Sequence, residues 1–413
     1  MKDPVTMVTG ITYDRESIEQ WLFFGKNTTC PVTKQPLPKD SDLTPNHTLR
    51  RLIQAWCIAN ASNGVDQIPT PKSLFDRTQV VKLIQELRIP QLQLQSLRKL
   101  EAIASRNEKN RGPMVEAGVA KAMVSLIMSR FREARTDGLS EAFSVFHLVC
   151  TPTEKMKKLV SENYDVVESI MWVLQQEMDD QETVKTRAVL VLKTITEVAS
   201  GSLMERLKPE FFKAMVGVLR QQISQQATKA ALHMLLEACP WGRNRSIIIE
   251  AGAVFDLIEI ELRMPEKRTT ELIFGILDHL CCSPDGRAQL LGHSAGIAMV
   301  SKRILRVSPA VDDRAVHILS YIAKFSGNNE VVHEMLRVGA VSKLCMVLQA
   351  ECSAKVKEKA RGVLRLHSNV WNNSPCIAVY LLTRHPRVIG HDLVNKGHVD
   401  AICLYDDNSV RGA

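Results

Sequence analysis

Three stretches decide how this chain folds: "EAGVAKAMVSLI" (116–127), "EAGAVFDLIEIEL" (250–262) and "RVGAVSKLCMVLQ" (337–349). Each opens on a small residue, glycine and a second small residue, then places apolar residues at helical spacing. A looser copy, "HSAGIAMVSKRIL", begins at His293. Between the first two lie "NYDVVESIMWVLQ" (163–175) and "LKPEFFKAMVGVLR" (207–220), which carry the same helix without the glycine. Marked at Gly118, Asp165, Glu210, Gly252, Gly296 and Gly339, the copies are 47, 45, 42, 44 and 43 residues apart.

A period in the forties with several helices per unit is the signature of an armadillo or HEAT solenoid. The glycine has a physical task in it. It ends one helix in a left-handed cap and lets the next start at a sharp angle without a Cβ clash. A non-repetitive bundle with chance Ala-Gly dipeptides leaves the register of six copies unexplained. Stacked units that cannot bury a face alone leave a long concave surface, used for binding partners rather than for building active sites. The third helix of each unit, read as 119–128 or 340–349, is expected to line that surface.

Composition agrees with a helical chain. Of 413 residues, 45% are hydrophobic and only 5% aromatic, so the core must be built from Leu, Ile, Val, Ala and Met. The ten cysteines form no C-x-x-C pair, and several lie in apolar helical patterns, which fits free thiols in a reducing compartment. No apolar run reaches the length of a membrane span, and no secretory signal opens the chain, so the expectation is cytoplasmic, in the cytosol or nucleus. The net charge is +8, of which only +1 falls in residues 1–57. Basic residues occur in ones to threes, without an aromatic-interleaved basic block, so nucleic acid is not an expected partner.

Residues 1–57 form a different regime, dense in Pro, Thr and Gly with short elements. "TYDRESIEQWLFFG" (12–25) predicts a helix with Asp14 as N-cap, Ile18, Trp21 and Leu22 on one face, and Gly25 at its close. "TPNHTLRRLIQAWC" (44–57) predicts a second helix capped by Thr44 or Asn46, with Leu49, Leu52, Ile53 and Trp56 at helical spacing. Between them "KNTTCPVTKQPLPKDSDL" (26–43) is a loop stiffened by prolines 31, 36 and 38. The organisation reads as a module over 1–57, a polar linker over 58–73, helical repeats over 74–370 and an atypical tail over 371–413.

At "MKDPVTMVTGITYDRESIEQWL" (1–22), "CPVTKQPL" (30–37) and "LTPNHTLRRLIQAWC" (43–57) the chain resembles the U-box of plant ubiquitin ligases. The helical remainder resembles the armadillo repeats joined to it in a large plant subgroup, and "CPWGRNR" (239–245) resembles its stress- and immunity-associated clade. The fold expected is therefore mostly α: an armadillo-type α-solenoid preceded by a small α+β, zinc-free RING-like module. The resemblance implies a RING-type ubiquitin transferase with no cofactor, no metal and no covalent intermediate. It would dock a ubiquitin-charged conjugating enzyme through the U-box and hold a protein substrate on the armadillo groove. Catalysis is then proximity and restriction of the thioester to a reactive geometry.

The resemblance also implies site residues. Pro31 is the second-loop proline that contacts the conjugating enzyme, and Trp21 stands at the helix position facing it. Lys34 occupies the place where a basic residue hydrogen-bonds ubiquitin and the conjugating enzyme together; many relatives have Arg there, and a one-point donor replaces a planar fork. From the residues alone, Trp21 reads equally as core, and Lys34 as a solvated surface charge. The family's "CPI"-type first loop does not occur before "MKDPV", so the expectation is a docking surface without its first-loop contact. The alternative that follows is a non-catalytic armadillo adaptor. An importin-like carrier is a weaker reading, since regularly placed Trp and Asn are not evident. A homo-oligomer is left open.

Other features have plain readings. Cys30 lacks a second ligand at chelating spacing and reads as a structural thiol. In "DHLCC" (278–282), Asp278 and Cys282 share a helix face that His279 and Cys281 do not, which favours packed thiols over a metal or nucleophilic site. His233 and His317, in apolar helices, read as satisfied or surface histidines.

Overall fold

The computed structural model describes residues 1, 3–24, 27–38, 43–60, 77–162, 165–178, 180–371, 374–375 and 377. The chain divides into two compact units, Met1–Asp76 and Arg77–Ala413. Most of the expected linker and tail, and the helix-closing role of Gly25, lie outside the described residues.

The first unit is a three-stranded antiparallel sheet with two helices. Strands β1 (Pro4–Thr6), β2 (Thr12–Asp14) and β3 (Thr44–Pro45) lie in the order β2-β1-β3, with Val5 opposite both Tyr13 and Pro45. Helix α1 (Arg15–Glu19) continues as a π turn over Gln20–Phe24, and α2 spans His47–Ala59. Val5, Met7 and Ile18 form a small buried cluster, flanked by Tyr13, Trp21, Leu22, Leu37 and Leu43. Asn46 is the N-cap of α2, accepting the Leu49 N–H at 3.0 Å. Asp14 stands before α1 without capping it; its carboxylate accepts the Asp3 N–H at 2.7 Å.

The second unit is helical. It opens on α3 (Arg77–Glu86) and closes on α22 (Ser368–Trp371). Between them three rows of helices repeat. The first row is short: α5 (Arg111–Glu116), α8 (Glu154–Glu162), α13 (Gly242–Glu250), α16 (Pro284–Gly292) and α19 (Asn329–Arg337). A second row is α6 (Val119–Glu133), α9 (Asp165–Gln175), α11 (Pro209–Gln221), α14 (Ala253–Arg263), α17 (Gly296–Arg303) and α20 (Ala340–Gln349). The third row is α4 (Pro90–Arg106), α7 (Leu139–Val149), α10 (Gln181–Arg206), α12 (Gln225–Ala238), α15 (Lys267–Leu280), α18 (Pro309–Ser326) and α21 (Ala354–Leu366). The six helices marked by the sequence repeat are the second row, each starting within a residue of its mark.

The third row packs most closely from repeat to repeat. A curved stack is tightest on its inside, so this row lines the concave face. That corrects the expectation for 119–128 and 340–349, which lie in α6 and α20 of the second row. The apolar periodicity of the two rows is alike, and only packing against neighbouring repeats separates them.

The glycines act as expected at three of their four positions. Gly118, Gly252 and Gly339 sit at φ 94°, 85° and 77°, each between a short helix and its second-row partner. Gly296 differs. It is the first residue of α17, and a Cβ there would lie 2.1 Å from the Leu290 carbonyl oxygen. That glycine permits a close backbone approach instead of a left-handed turn.

A second repeated device uses side chains to satisfy helix-end carbonyls. Asn110 Nδ2 donates to Ile103 O at 3.0 Å and Arg111 Nε to Ala104 O at 3.3 Å, at the end of α4. Asn244 and Arg245 repeat this at the end of α12, donating to Ala238 O and Cys239 O at 3.5 and 3.2 Å. Arg287 does so after α15, on Cys281 O and Cys282 O at 3.1 and 3.0 Å. The Asn-Arg pair inside "CPWGRNR" is thus a helix-closing clip whose cation also suits the negative end of the helix dipole.

Inside the solenoid, Phe143, Phe146, Phe211, Phe212 and Phe274 are fully buried among Leu, Ile, Val, Ala and Met. Each such side chain contributes about 1.5–3 kcal/mol. One charge pair is also sealed in. Glu261 of α14 is fully buried, accepting from Arg303 Nε at 2.5 Å and Thr270 Oγ1 at 3.0 Å. Burial pushes its carboxyl above the ordinary range, against the pull of Thr270 and Arg303.

Two glycine substitutions separate these causes. Gly339→Ala meets open space and carries only the left-handed penalty of about 1 kcal/mol. Gly286→Ala places a Cβ 2.1 Å from the Leu280 carbonyl oxygen and is expected to cost about 3 kcal/mol. Urea unfolding of the two full-length variants should rank them in that order.

Candidate functional site

The stretch from Thr29 to Pro36 closes on itself as a loop. Thr29 and Pro36 form an antiparallel bridge, Cys30 N–H donates to Gln35 O at 2.9 Å, and Lys34 N–H donates to Cys30 O at 3.0 Å. Pro31, Val32 and Thr33 form the turn at its tip, and Lys34 follows in the left-handed region at φ 58°. Pro31 is half-buried and Val32 is 64% exposed, so the tip is an apolar surface.

A thiol holds the tip down. Cys30 is fully buried, with its Sγ 3.1 Å from Tyr13 Oη and 3.5 Å from Thr9 Oγ1, and Thr33 also bonds it. Tyr13 Oη in turn accepts the Val32 N–H at 3.3 Å. Tyr13 therefore ties both ends of Cys30-Pro31-Val32 to strand β2. Burial alone would push the Cys30 thiol up, but bonds from Thr33, Tyr13 and Thr9 outweigh it and bring it down to about 6. The Tyr13 hydroxyl moves the other way, raised first by burial and then by its bond to Cys30. Among the described residues no group of three or more His, Cys, Asp or Glu is placed to hold a metal ion. Hydroxyls surround the thiol where a knuckle would set a metal.

The π turn after α1 carries Trp21 to the same end of the unit. Its Nε1–H donates to Thr29 O at 2.9 Å, and Asn27 donates to its carbonyl from Nδ2 at 3.2 Å. One face packs on the Val5–Met7–Ile18 cluster while the residue stays half-buried, so Trp21 is a core residue with an open edge. The Lys34 ammonium lies 5.8 Å from the centre of its ring. Pro31, Trp21 and Lys34 are thus joined through Thr29 and the ring contact, on one helix and one loop.

Sequence reasoning missed the groups that hold these elements. Asp3 bridges Arg15 Nε at 2.8 Å and Arg50 Nη1 at 2.9 Å, clipping β1 to both helices. Asn46 Nδ2 reaches Thr6 and Thr12 Oγ1 at 3.2 and 3.3 Å. The Asn46 and Arg50 contacts join residues 34 to 47 apart, beyond any local pattern. Helix α2 runs to Ala59, two residues past the expected boundary, and buries Cys57 while exposing Leu52, Trp56 and Ile58.

In the second unit the tempting "DHLCC" cluster meets side chains of the next third-row helix. Asp278 Oδ1 pairs with His317 Nδ1 at 2.8 Å, and Cys282 Sγ donates to Asp278 O at 3.4 Å and to Tyr321 Oη at 3.2 Å. Cys281 is buried, and burial pushes its thiol far up. His233 is lowered, by burial first and then by Lys193. His233, Asp278, His317 and Tyr321 sit on third-row helices, and Cys281 and Cys282 lie just past the end of α15.

The lowered Cys30 thiol has a pH consequence. Its folded value of about 6 lies below the ordinary 9.0, so its stabilisation is complete above pH 9 and is lost as pH falls toward 6. The unfolding transition of the first unit should rise in stability across that window. Cys30→Ala should flatten the rise, read from the near-ultraviolet signal of the full chain.

The family model described as "U-box domain" matches residues 1–62, and that described as "Plant U-box protein ARM repeat region" matches residues 79–387. The chain is 43% identical over 429 residues to E3 ubiquitin-protein ligase PUB24 of Arabidopsis thaliana, covering 93% of each. It is 43% identical over 393 residues to E3 ubiquitin-protein ligase PUB23 of the same plant, covering 94% of each. A chain of the solved structure "A conserved phosphorylation switch controls the interaction between cadherin and beta-catenin in vitro and in vivo" superposes with TM-score 0.56 at 11% identity, covering 78% of this chain and 58% of that one. That likeness shows the shared solenoid fold alone. With a U-box matched over residues 1–62 and a plant U-box armadillo-repeat region matched over 79–387, the chain belongs to the plant U-box proteins that carry an armadillo-repeat region.

Proposed function

We infer that this chain is a RING-type E3 ubiquitin ligase. Its U-box recruits a ubiquitin-charged conjugating enzyme, and the third-row face of the repeats holds the protein to be modified. The observation that carries the reading is the second loop. Cys30 and Tyr13 fix its apolar tip, and Trp21 and Lys34 stand beside it. That is the shape of a docking surface with a cation at its edge, and the one thiol in it, Cys30, is buried.

The chemistry follows from the arrangement. An acceptor amine attacks the thioester carbonyl carried by the conjugating enzyme, the enzyme's thiolate leaves, and an amide forms. The ligase supplies orientation and effective concentration, the main rate advantage open to a scaffold. Pro31 and Trp21 contribute apolar contact with the conjugating enzyme. Lys34 places a cationic donor where ubiquitin and the conjugating enzyme meet, as a point charge instead of the planar fork of Arg.

Three finer assignments belong to the same proposal. The likeness of "CPWGRNR" to stress- and immunity-associated members supports a role in plant defence or stress signalling. Ten cysteines without a C-x-x-C pair support a reducing compartment, the cytosol or nucleus. The apolar side chains of Leu52, Trp56 and Ile58 exposed on α2 support self-association through the U-box.

A reaction with activating enzyme, a conjugating-enzyme panel, ubiquitin and ATP should give self-ubiquitination of the full chain. Pro31→Ala and Trp21→Ala should each slow it on the order of tenfold, the loss of a docking contact of about 1.4 kcal/mol, while the repeats keep their helical signal. Retention of substrate with no binding to any conjugating enzyme would identify an adaptor instead.

A further inference from the structure

The cation at the docking surface is not left to itself. Lys34 has an exposed side chain and, among the described residues, no carboxylate partner. Its backbone is set in the left-handed region at φ 58°, held there by its own N–H on Cys30 O and by Cys30 N–H on Gln35 O. This directs the side chain back toward the helix, where the ammonium meets the Trp21 ring at 5.8 Å from its centre. The ring is itself oriented, because Trp21 Nε1–H is fixed on Thr29 O at 2.9 Å. A four-carbon ammonium stem is otherwise free to sample many rotamers, and ordering it on each encounter is unfavourable.

We propose that Trp21 is the positioning residue for Lys34: its ring holds the ammonium at the junction of helix and second loop, so that the clamp on ubiquitin is preset before the charged conjugating enzyme arrives. This rests on the reading of Lys34 as that clamp. It gives Trp21 a second task beyond apolar contact, and it explains how a lysine serves where many relatives have arginine. An aromatic ring under a flexible cation supplies the direction that a planar guanidinium carries in its own geometry. The effect of a cation–π contact at an exposed site is about two- to fivefold in rate.

A double-mutant cycle on the full chain tests it. Single-turnover discharge of ubiquitin from a charged conjugating enzyme to free lysine is measured for the native protein, Trp21→Leu, Lys34→Met and the double variant. Binding of the uncharged conjugating enzyme is titrated in parallel. The expected result is that Trp21→Leu slows discharge about two- to fivefold more with Lys34 present than with Lys34→Met, while its effect on binding is the same in both backgrounds. Trp21→Phe, which keeps a ring, should retain part of the coupling and serves in place of Trp21→Leu should that variant lose its fold. Equal factors in the two backgrounds would overturn the positioning role and leave the clamp standing. An unchanged discharge rate in Lys34→Met alone would remove the clamp, and the positioning role with it.

Discussion

The contact between the Tyr13 hydroxyl and the Cys30 sulfur, 3.1 Å long, is the constraint on which the working end of this protein depends. It joins a strand to a loop 17 residues away, and the same hydroxyl takes the Val32 N–H. The Thr29–Pro36 bridge closes the loop on itself, and the Tyr13 hydroxyl ties that closed loop to strand β2. A small module whose buried apolar cluster is Val5, Met7 and Ile18 cannot hold such a loop by apolar area alone. A buried thiol surrounded by hydroxyls supplies the missing order at one point, and the Asp3 bridge to Arg15 and Arg50 supplies it at another. The Asp3 pairs are partly exposed and solvent weakens them, whereas the Cys30 thiol is buried.

The repeats solve a different problem with different means. Each unit must turn sharply twice and still leave no helix end bare. Left-handed glycines at 118, 252 and 339 make one turn, and at the other Asn-Arg clips at 110–111 and 244–245 close the third-row helices α4 and α12. The sealed pair of Glu261 and Arg303 then ties α14 to α17 across the repeat boundary. A buried pair of this kind is weak evidence of net stability, but losing one partner strands a charge and is costly. On the third row Asp278 pairs with His317, and Cys282 meets Tyr321.

Much of this was legible in the sequence, and the reasons are physical. The repeat could be found because a left-handed turn needs glycine, so the constraint is written as a residue type at a fixed interval. Asn46 was legible as a cap because capping acts over three residues. What could not be read is what acts at long range. Tyr13 looks like any strand aromatic until the fold brings Cys30 beneath it. Asp14 sits at a helix start and reads as a cap, yet its carboxylate is taken by the Asp3 N–H from the neighbouring strand. The rows of the solenoid share one apolar period, so which row faces inward is decided by packing between repeats. Gly296 shows the limit from the other side: the residue type was right and the reason was a carbonyl 2.1 Å from its missing Cβ.

The central claim is that hydroxyl–thiol bonds around Cys30 hold the loop proposed to dock the conjugating enzyme. The most direct measurement is the single-turnover rate of ubiquitin discharge from a pre-charged conjugating enzyme by the full chain, with and without a strong zinc chelator. The same assay is run on Tyr13→Phe. The account predicts a rate indifferent to the chelator and lowered by the loss of the Tyr13 hydroxyl. A rate abolished by chelation and restored by added zinc would contradict it.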